Sequence, residues 1–211
     1  MKYFVKTPWW IKKAFPSYTW SIPTKEKVLY LTFDDGPHPE ITPFVLNELK
    51  KFNALASFFC LGKNVLAFPE VYKQLLYEGH VVGNHTQNHL NGWKTPNDVY
   101  MKDIAEASKH IDSNLFRPPY GRITRFQAKH LPAAMRGQKA KVIMWDVLSA
   151  DFDNEISAEQ SLQFVLFRSS PGSIIVFHDS EKAADKLRYV LPKVLHHFSM
   201  EGFKFLSLPS K

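Results

Sequence analysis

Short apolar segments alternate with amphipathic segments about seven times between residues 28 and 206, and this alternation limits the choice of fold more than any other feature. A chain that repeats strand and helix in this way builds a parallel sheet covered by crossover helices. We therefore predict an α/β fold with about seven parallel strands. Such a fold is either a distorted barrel or an open doubly wound sheet, and periodicity leaves both open.

The predicted boundaries follow from the period of the apolar positions. The predicted strands span 28–33, 56–61, 80–83, 115–116, 141–145, 173–177 and 203–206. The predicted helices span 41–52, 69–77, 97–111, 124–131, 158–168 and 186–198. No glycine-rich dinucleotide fingerprint follows the first strand, because Asp34-Asp35-Gly36-Pro37 stands there instead. This disfavours the nucleotide-binding version of the open sheet.

Composition narrows the class of protein. The 211 residues suffice for one domain with a sizeable core. The net charge of +7 favours anionic partners, but nucleic acid is not predicted, because the chain has no zinc finger, RNA-recognition signature or basic helix. The apolar stretches are shorter than the ~18 residues of a membrane span, and no apolar signal-peptide core follows Lys2. We therefore expect a protein that is cytoplasmic or peripheral to a membrane.

Residues 1–24 differ from the rest of the chain. They carry four lysines, no acidic residue and seven interleaved aromatic residues, and Pro8, Pro16 and Pro23 break any long helix. We predict a basic, aromatic N-terminal arm at 1–24, followed by the main domain at 25–211. The arm is expected either to pack its aromatic side chains over the domain or to contact a membrane surface or a partner.

Polar residues that carry chemistry follow five of the predicted strands. In parallel α/β folds, the C-terminal ends of the strands meet at one edge, where sites form. The residues at these ends are Asp34 and Asp35, then Asn84, His85 and His89, then Arg117, then Asp146 and Asp151, and finally His178 and Asp179. Their convergence predicts one polar site at this rim.

Two residue pairs indicate the chemistry of the site. His85 and His89 are at i and i+4, so on a helical turn both imidazoles would face one ion, and one carboxylate would complete a ligand set like that of a catalytic zinc site. The adjacent carboxylates of Asp34 and Asp35 cannot both be free and ionised without penalty, and a cation at one of them removes the problem. The other carboxylate can then act as a base. The same residues also favour a turn, which is compatible with this interpretation.

Five segments together resemble a known family. The segments are Thr32-Phe33-Asp34-Asp35-Gly36-Pro37, His85-Thr86-Gln87-Asn88-His89, Arg117-Pro118-Pro119-Tyr120-Gly121, Asp146-Val147-Leu148-Ser149-Ala150-Asp151-Phe152 and Val176-Phe177-His178-Asp179. In this order they resemble the motifs of the polysaccharide deacetylase family, also called the NodB-homology domain, over roughly residues 26–207. The resemblance implies that the main domain is catalytic and folds as a distorted, incomplete (β/α) barrel.

The resemblance also implies a metal site and a base. Asp35, His85 and His89 would bind a divalent ion, with zinc expected first and cobalt or nickel as alternatives. Asp34 would be the general base, and Arg117 would orient it.

Further roles follow from the same resemblance. His178 would be the general acid, and the backbone N–H of Tyr120 would help to hold the oxyanion. Asp146 would support Arg117 and tune the acid, with Asp151 as the open alternative for this task.

The remaining matched residues would contact the substrate. Val176 would line the pocket for the acetyl methyl group, and Pro119, Asp151 and Phe152 would lie beside the sugar. Phe152 stands where the family usually has Trp, and Val176 stands where it usually has Leu. Both keep an apolar contact, so we expect an altered pocket shape and retained chemistry.

The implied activity is hydrolysis of the N-acetyl group of an N-acetylated amino sugar in chitooligosaccharide, peptidoglycan or a related glycan, with release of acetate. One alternative is a related C–N hydrolase that acts on a lipid-linked amino sugar, an acetylated polyamine or a cyclic imide. Another is a carbohydrate-binding pseudoenzyme. The presence of both Asp34 and His178 favours an enzyme.

Overall fold

A computed structural model describes residues 3–210, so Met1 and Lys2 of the predicted arm, and Lys211, lie outside the described residues. The strands are β1 (Val28–Asp34), β2 (Ser57–Cys60), β3 (Val81–Asn84), β4 (Leu115–Phe116), β5 (Lys141–Val142), β6 (Val147–Leu148), β7 (Ile174–His178) and β8 (Lys204–Phe205). The α-helices are α1 (Trp9–Ala14), α2 (Ile41–Lys51), α3 (Gly62–Ala67), α4 (Pro69–Tyr77), α5 (Asn97–Ala107), α6 (Arg125–Ala134), α7 (Ala158–Arg168) and α8 (Ala184–Met200).

The strands form one sheet in the order β5-β4-β3-β2-β1-β7-β6, and each neighbouring pair is parallel. Strand β8 pairs in parallel with the start of β1. Strands β5 and β6 are at the two ends of the order although they are consecutive in the chain, so the curled sheet does not close. The predicted distorted, incomplete barrel of about seven parallel strands is confirmed.

The central strand, β1, runs through the core and ends at the rim of the sheet with Asp34. All seven residues of β1 are buried, as expected for a parallel strand whose two faces are both covered. Phe33 stacks on Phe58 of β2 and on Phe177 of β7, with ring centroids 5.0 and 5.8 Å apart. Each buried ring contributes about 1.5–3 kcal/mol. The register that aligns Phe33 with Phe177 also aligns the next residues, Asp34 and His178.

The N-terminal segment (residues 3–24) lies along both ends of the sheet. Lys6 forms an antiparallel bridge with Val147 of β6, and Thr19 forms a parallel bridge with Ile143, just after β5. Helix α1 lies in the chain between these two bridges, so the predicted arm contains a helix of six residues. The segment therefore pairs with the two strands that leave the barrel open.

Most predicted elements are confirmed, with ends that differ by at most four residues. The main difference lies at 141–145, where β5 ends at Val142 and a second short strand, β6, begins at Val147. A two-residue strand is too short to show a period, so the pattern could not separate them. Among the helices of residues 3–210, none has both the length and the apolar composition that crossing a membrane requires.

Candidate active site

The predicted strand ends meet at one rim of the sheet. Asp34 ends β1 beside His178, which ends β7. Asn84 at the end of β3 is aligned with the end of β4, so His85 and Arg117 follow at the same level. The structure thus brings together residues that the sequence places at separate strand ends.

Asp35, His85 and His89 form a cluster whose ligand atoms lie within 4.8 Å of one another. Oδ1 of Asp35 is 3.2 Å from Nε2 of His89 and 3.6 Å from Nε2 of His85. This oxygen is buried, and within the described residues it has no hydrogen-bond partner. A buried carboxylate oxygen that faces two imidazole nitrogens fits the ligand set of a divalent cation.

Other groups hold the second nitrogen of each imidazole. Nδ1 of His85 donates to the carbonyl of Arg117 at 2.7 Å, because a carbonyl only accepts. Nδ1 of His89 lies 3.1 Å from the hydroxyl of Tyr120. These contacts direct Nε2 of both rings toward Asp35.

The protonation states of the cluster suit a cation. Burial lowers the pKa of His85 to about 4, so this imidazole is neutral at pH 7. Burial alone would raise the pKa of Asp35, but the surrounding imidazoles, His89 first, hold it well below its usual range. A neutral imidazole and an ionised carboxylate are the forms in which these side chains bind metals.

The two imidazoles converge through a loop, and the helical turn suggested by their spacing is wrong. Thr86 and His89 have positive φ angles of 69° and 60°. The N–H of His89 donates to the Thr86 hydroxyl at 3.0 Å. Asp103 of α5 accepts the N–H groups of Gln87 and Asn88 at 2.9 and 3.0 Å. Sequence reasoning missed Asp103, because nothing in the pattern of its helix marks it out from other polar positions.

Asp34 forms a buried ion pair with Arg117. Nη1 of Arg117 is 2.6 Å from Oδ1 of Asp34, and the two side chains are 0% and 5% exposed. The guanidinium also donates to the Thr32 hydroxyl and to the carbonyls of Ile143 and Met144. Because a buried cation needs a counter-ion, Arg117 pairs with Asp34, and this contact fixes the orientation of the Asp34 side chain.

His178 is held by two hydrogen bonds to Asp151. Its Nδ1 lies 2.8 Å from Oδ1, and its backbone N–H donates to Oδ2 at 2.8 Å. Burial alone would lower the pKa of His178, but Asp151, with further contributions from Asp35 and Asp34, raises it to about 9. The imidazole of His178 is therefore in its cationic form, with both nitrogens protonated, at neutral pH. Asp146 and Asp151 are the two candidates for tuning the acid, and Asp151 is the one that contacts His178.

Asp146 lies in a different environment from the one predicted. Its carboxylate contacts Lys6, Lys12 and Ser173 at 2.6, 2.5 and 2.5 Å. Burial alone would raise the pKa of Asp146, but Lys12, Lys6 and Ser173 lower it. Within residues 3–210, no hydrogen bond joins Asp146 to Arg117, so the predicted support is wrong. The physical reason is that two lysines from the N-terminal segment already neutralise this carboxylate.

The predicted substrate contacts surround this centre. Val176 is buried and precedes His178 by two positions on β7, so both side chains face the same side of the sheet. The ring of Phe152 lies 5.1 Å from that of His178. Pro119 and Tyr120 lie in a 3₁₀ turn, where Tyr120 has a φ of 61° and is 61% exposed. The roles of these residues stay predictions.

Asp179 holds the turn that carries Asp35. Its carboxylate accepts the N–H of Gly36 at 3.1 Å and the hydroxyl of Thr42 at 2.5 Å. A Cβ at Gly36 would lie 2.1 Å from this carboxylate, so only glycine fits there. Burial raises the pKa of Asp179 to about 8. Its position after β7 marked Asp179 in the sequence, but the sequence pattern assigned it no role.

The fold and the site together define the class of protein. The protein is an incomplete (β/α) barrel whose rim carries one carboxylate and two imidazoles that could hold a metal ion, beside a buried ion pair and a protonated imidazole. The sequence profile of the polysaccharide deacetylase family matches residues 21–134. The chain therefore belongs to the polysaccharide deacetylase family.

Individual relatives cover most of the chain. It is 34% identical to a peptidoglycan-N-acetylglucosamine deacetylase of Bacillus cereus, over 95% of this chain and 73% of the relative. It is 29% identical to a chitooligosaccharide deacetylase of Azorhizobium caulinodans, over 89% of this chain and 96% of the relative.

Solved structures show the same fold. A crystal structure of a peptidoglycan N-acetylglucosamine deacetylase in complex with 4-naphthalen-1-yl-N-oxidanyl-benzamide is similar with a TM-score of 0.84 and 34% identity, over 96% of this chain and 95% of that one. A CE4-family pseudoenzyme from Bacillus anthracis is similar with a TM-score of 0.75 and 22% identity, over 90% of this chain and 66% of that one. The fold alone therefore does not establish catalysis, which depends on the residues of the site.

Proposed function

We propose that this protein is a metal-dependent hydrolase that removes the N-acetyl group from an N-acetylated amino sugar and releases acetate. The observation that carries the proposal is the buried Oδ1 of Asp35, which has no hydrogen-bond partner among residues 3–210 and faces two imidazole nitrogens beside Asp34 and His178. The deacetylase relatives support this reaction and this class of substrate.

Asp35, His85 and His89 would hold the cation, and zinc is the first expectation because two imidazoles and a carboxylate form its common catalytic ligand set. Cobalt and nickel are alternatives with the same ligands. When bound, a divalent cation supplies Lewis-acid polarisation of the carbonyl and lowers the pKa of water.

Asp34 would accept the proton of the attacking water. Its Oδ1 is fixed by Arg117, so the carboxyl group cannot rotate freely. A new C–O bond then forms at the acetamide carbon. The backbone N–H of Tyr120 would stabilise the oxyanion, and Val176 would contact the acetyl methyl group.

His178 would donate its proton to the nitrogen that leaves. The C–N bond breaks, and the nitrogen departs as a neutral amine because it receives this proton. Asp151 keeps His178 protonated and oriented for the step. The products are acetate and a free amino sugar.

The substrate is expected to be peptidoglycan, chitooligosaccharide or a related glycan. A lipid-linked amino sugar and an acetylated polyamine are the alternatives within the same chemistry. A pseudoenzyme is disfavoured, because the base and acid candidates both lie at the rim with the partners that they need.

The test is a measurement of released acetate from acetylated chitooligosaccharides, peptidoglycan fragments and N-acetylated polyamines. We expect turnover of one of the glycans, its loss after chelation, and its recovery with zinc or cobalt. Full activity after exhaustive chelation would refute the metal dependence, and activity on the polyamine alone would refute the substrate class.

We also propose that the N-terminal segment touches a membrane surface. Trp9 and Trp10 are 73% and 53% exposed, and exposed tryptophans beside an exposed lysine such as Lys13 suit the interface of an anionic bilayer. Co-sedimentation with anionic vesicles should fall when Trp9 and Trp10 are replaced by alanine. Equal binding of this variant would contradict the proposal.

A further inference from the structure

The first described residue of the N-terminal segment reaches the rim of the site. The ring of Tyr3 lies 5.5 Å from that of Phe152, at an interplanar angle of 54°. The ring of Phe152 lies 5.1 Å from that of His178, at 71°. Both separations are within the range of attractive aromatic pairs. A continuous line of ring contacts therefore joins Tyr3 to the candidate acid.

A second contact ties Tyr3 to the same loop. The Tyr3 hydroxyl donates to Oδ2 of Asp153 at 2.6 Å. Lys186 of α8 donates to the backbone carbonyls of Asp151 and Asp153. Lys186 thus fixes the backbone of the loop 151–153, and Tyr3 contacts the side chains of Phe152 and Asp153 in the same loop.

The position of Tyr3 is itself fixed by the fold. The carbonyl of Val5 accepts the N–H of Leu148 in β6 at 2.8 Å. Lys6 contacts the carboxylate of Asp146, which is 3% exposed. These anchors lie two and three residues after Tyr3, so they keep its backbone close to the loop that carries Phe152.

We propose that Tyr3 is a positioning residue that holds Phe152 and Asp151 against the catalytic His178, an inference that rests on the proposed function. Asp151 and Phe152 are consecutive in the loop and both contact His178, so a shift of the loop changes both contacts at once. Proton transfer to the leaving nitrogen depends steeply on the position of the imidazole, and an error of about 1 Å can cost about 10²-fold in rate.

Three variants separate the contributions of the Tyr3 ring, of the Tyr3 hydroxyl and of the N-terminal segment as a whole. Tyr3→Ala removes the ring contact and the hydrogen bond, and Tyr3→Phe removes the hydrogen bond alone. Phe4→Ala is the matched control, because this neighbouring ring contacts Trp10 and is 55% exposed. Each variant is assayed in the full chain for kcat, KM, metal content and thermal midpoint.

We expect Tyr3→Ala to lower kcat about tenfold with little change in KM or metal content. Tyr3→Phe should restore most of the loss, and Phe4→Ala should match the wild type. Wild-type kcat in Tyr3→Ala would overturn the proposal, as would an equal loss of kcat in Phe4→Ala.

A spectroscopic measurement tests the contact without activity. In histidine-labelled protein without added metal, loss of the loop contact should move the ring signals of His178, whose neighbour Phe152 contributes a ring-current shift, and leave those of His85 in place. An unmoved His178 signal in Tyr3→Ala would refute the positioning role. If the wild type released no acetate, the proposed function would fail, and this measurement would still decide the role of Tyr3.

Discussion

Replacing Asp34 by asparagine should reduce stability as well as turnover, because Asp34 is also the counter-ion of a buried guanidinium. Arg117 is fully buried, and its Nη1 is 2.6 Å from Asp34. Removing one partner of a buried ion pair typically costs about 3–5 kcal/mol. Arg117 keeps a hydroxyl and two carbonyls as acceptors, so we expect a loss near the lower end, about 3 kcal/mol. In a domain of this size that corresponds to about 6–12 °C in Tm.

Turnover of Asp34→Asn should fall for a separate reason. The amide cannot accept the proton of the attacking water, and loss of a general base typically costs about 10²–10⁴-fold in kcat. Metal content should stay at the wild-type level, because Asp34 is not in the ligand cluster. Asp35→Asn should show the reverse order of effects, with weaker metal binding and partial recovery of activity in excess metal.

The double variant Asp34→Asn with Arg117→Gln separates the two losses. Removing the guanidinium together with its counter-ion should cost less stability than the sum of the single changes, whereas turnover should stay lost. Urea unfolding, metal analysis and acetate release are measured for all variants. If Asp34→Asn is as stable as the wild type, the account of the ion pair is wrong. If it loses the metal while Asp35→Asn keeps it, the roles of the two aspartates are reversed.

Two further predictions concern the other buried carboxylates. Asp151 raises the pKa of His178 to about 9, and the protonated form would be the active acid in the proposed mechanism. We therefore expect kcat to fall as pH rises through this value, and Asp151→Asn should move the falling limb to lower pH. An unmoved limb in the kcat profile would contradict this. Replacing Lys6 and Lys12 together by methionine should cost about 2 kcal/mol of unfolding free energy, discounted because both lysines are partly exposed. The native pKa of Asp146 is depressed, so the stabilisation by the lysines exists above its unfolded pKa and is lost as pH falls, and the two proteins should converge in acid. A difference in stability that persists in acid would point to lost packing instead.

The candidate site was largely predictable because its residues end parallel strands. Asp34 and His178 are far apart in the sequence, but parallel strands place their carboxyl ends at one edge, so convergence needs no knowledge of loops. The loop that joins His85 to His89 was not predictable in the same way. Its form depends on two positive φ angles and on Asp103, and residue spacing contains neither.

The partner of Asp146 could not be predicted for a different reason. Lys6 is 140 residues away in the sequence, and no period or motif relates the two. A lysine in a basic segment is ordinarily solvated, so composition gives no reason to expect an ion pair with a buried carboxylate. Only the path of the N-terminal segment along the edge of the sheet brings these charges together.

That path has a physical cause in the open barrel. A sheet that does not close has two edge strands with unpaired backbone groups, which proteins pair or cover. Here the carbonyl of Val5 accepts the N–H of Leu148 at one edge, and Thr19 exchanges backbone hydrogen bonds with Val142 and Met144 at the other. The same stretch of chain that covers the edges also carries Tyr3 to the loop beside the candidate acid. Changes that loosen this cover should therefore reduce stability and turnover together, although none of its residues belongs to the reacting centre.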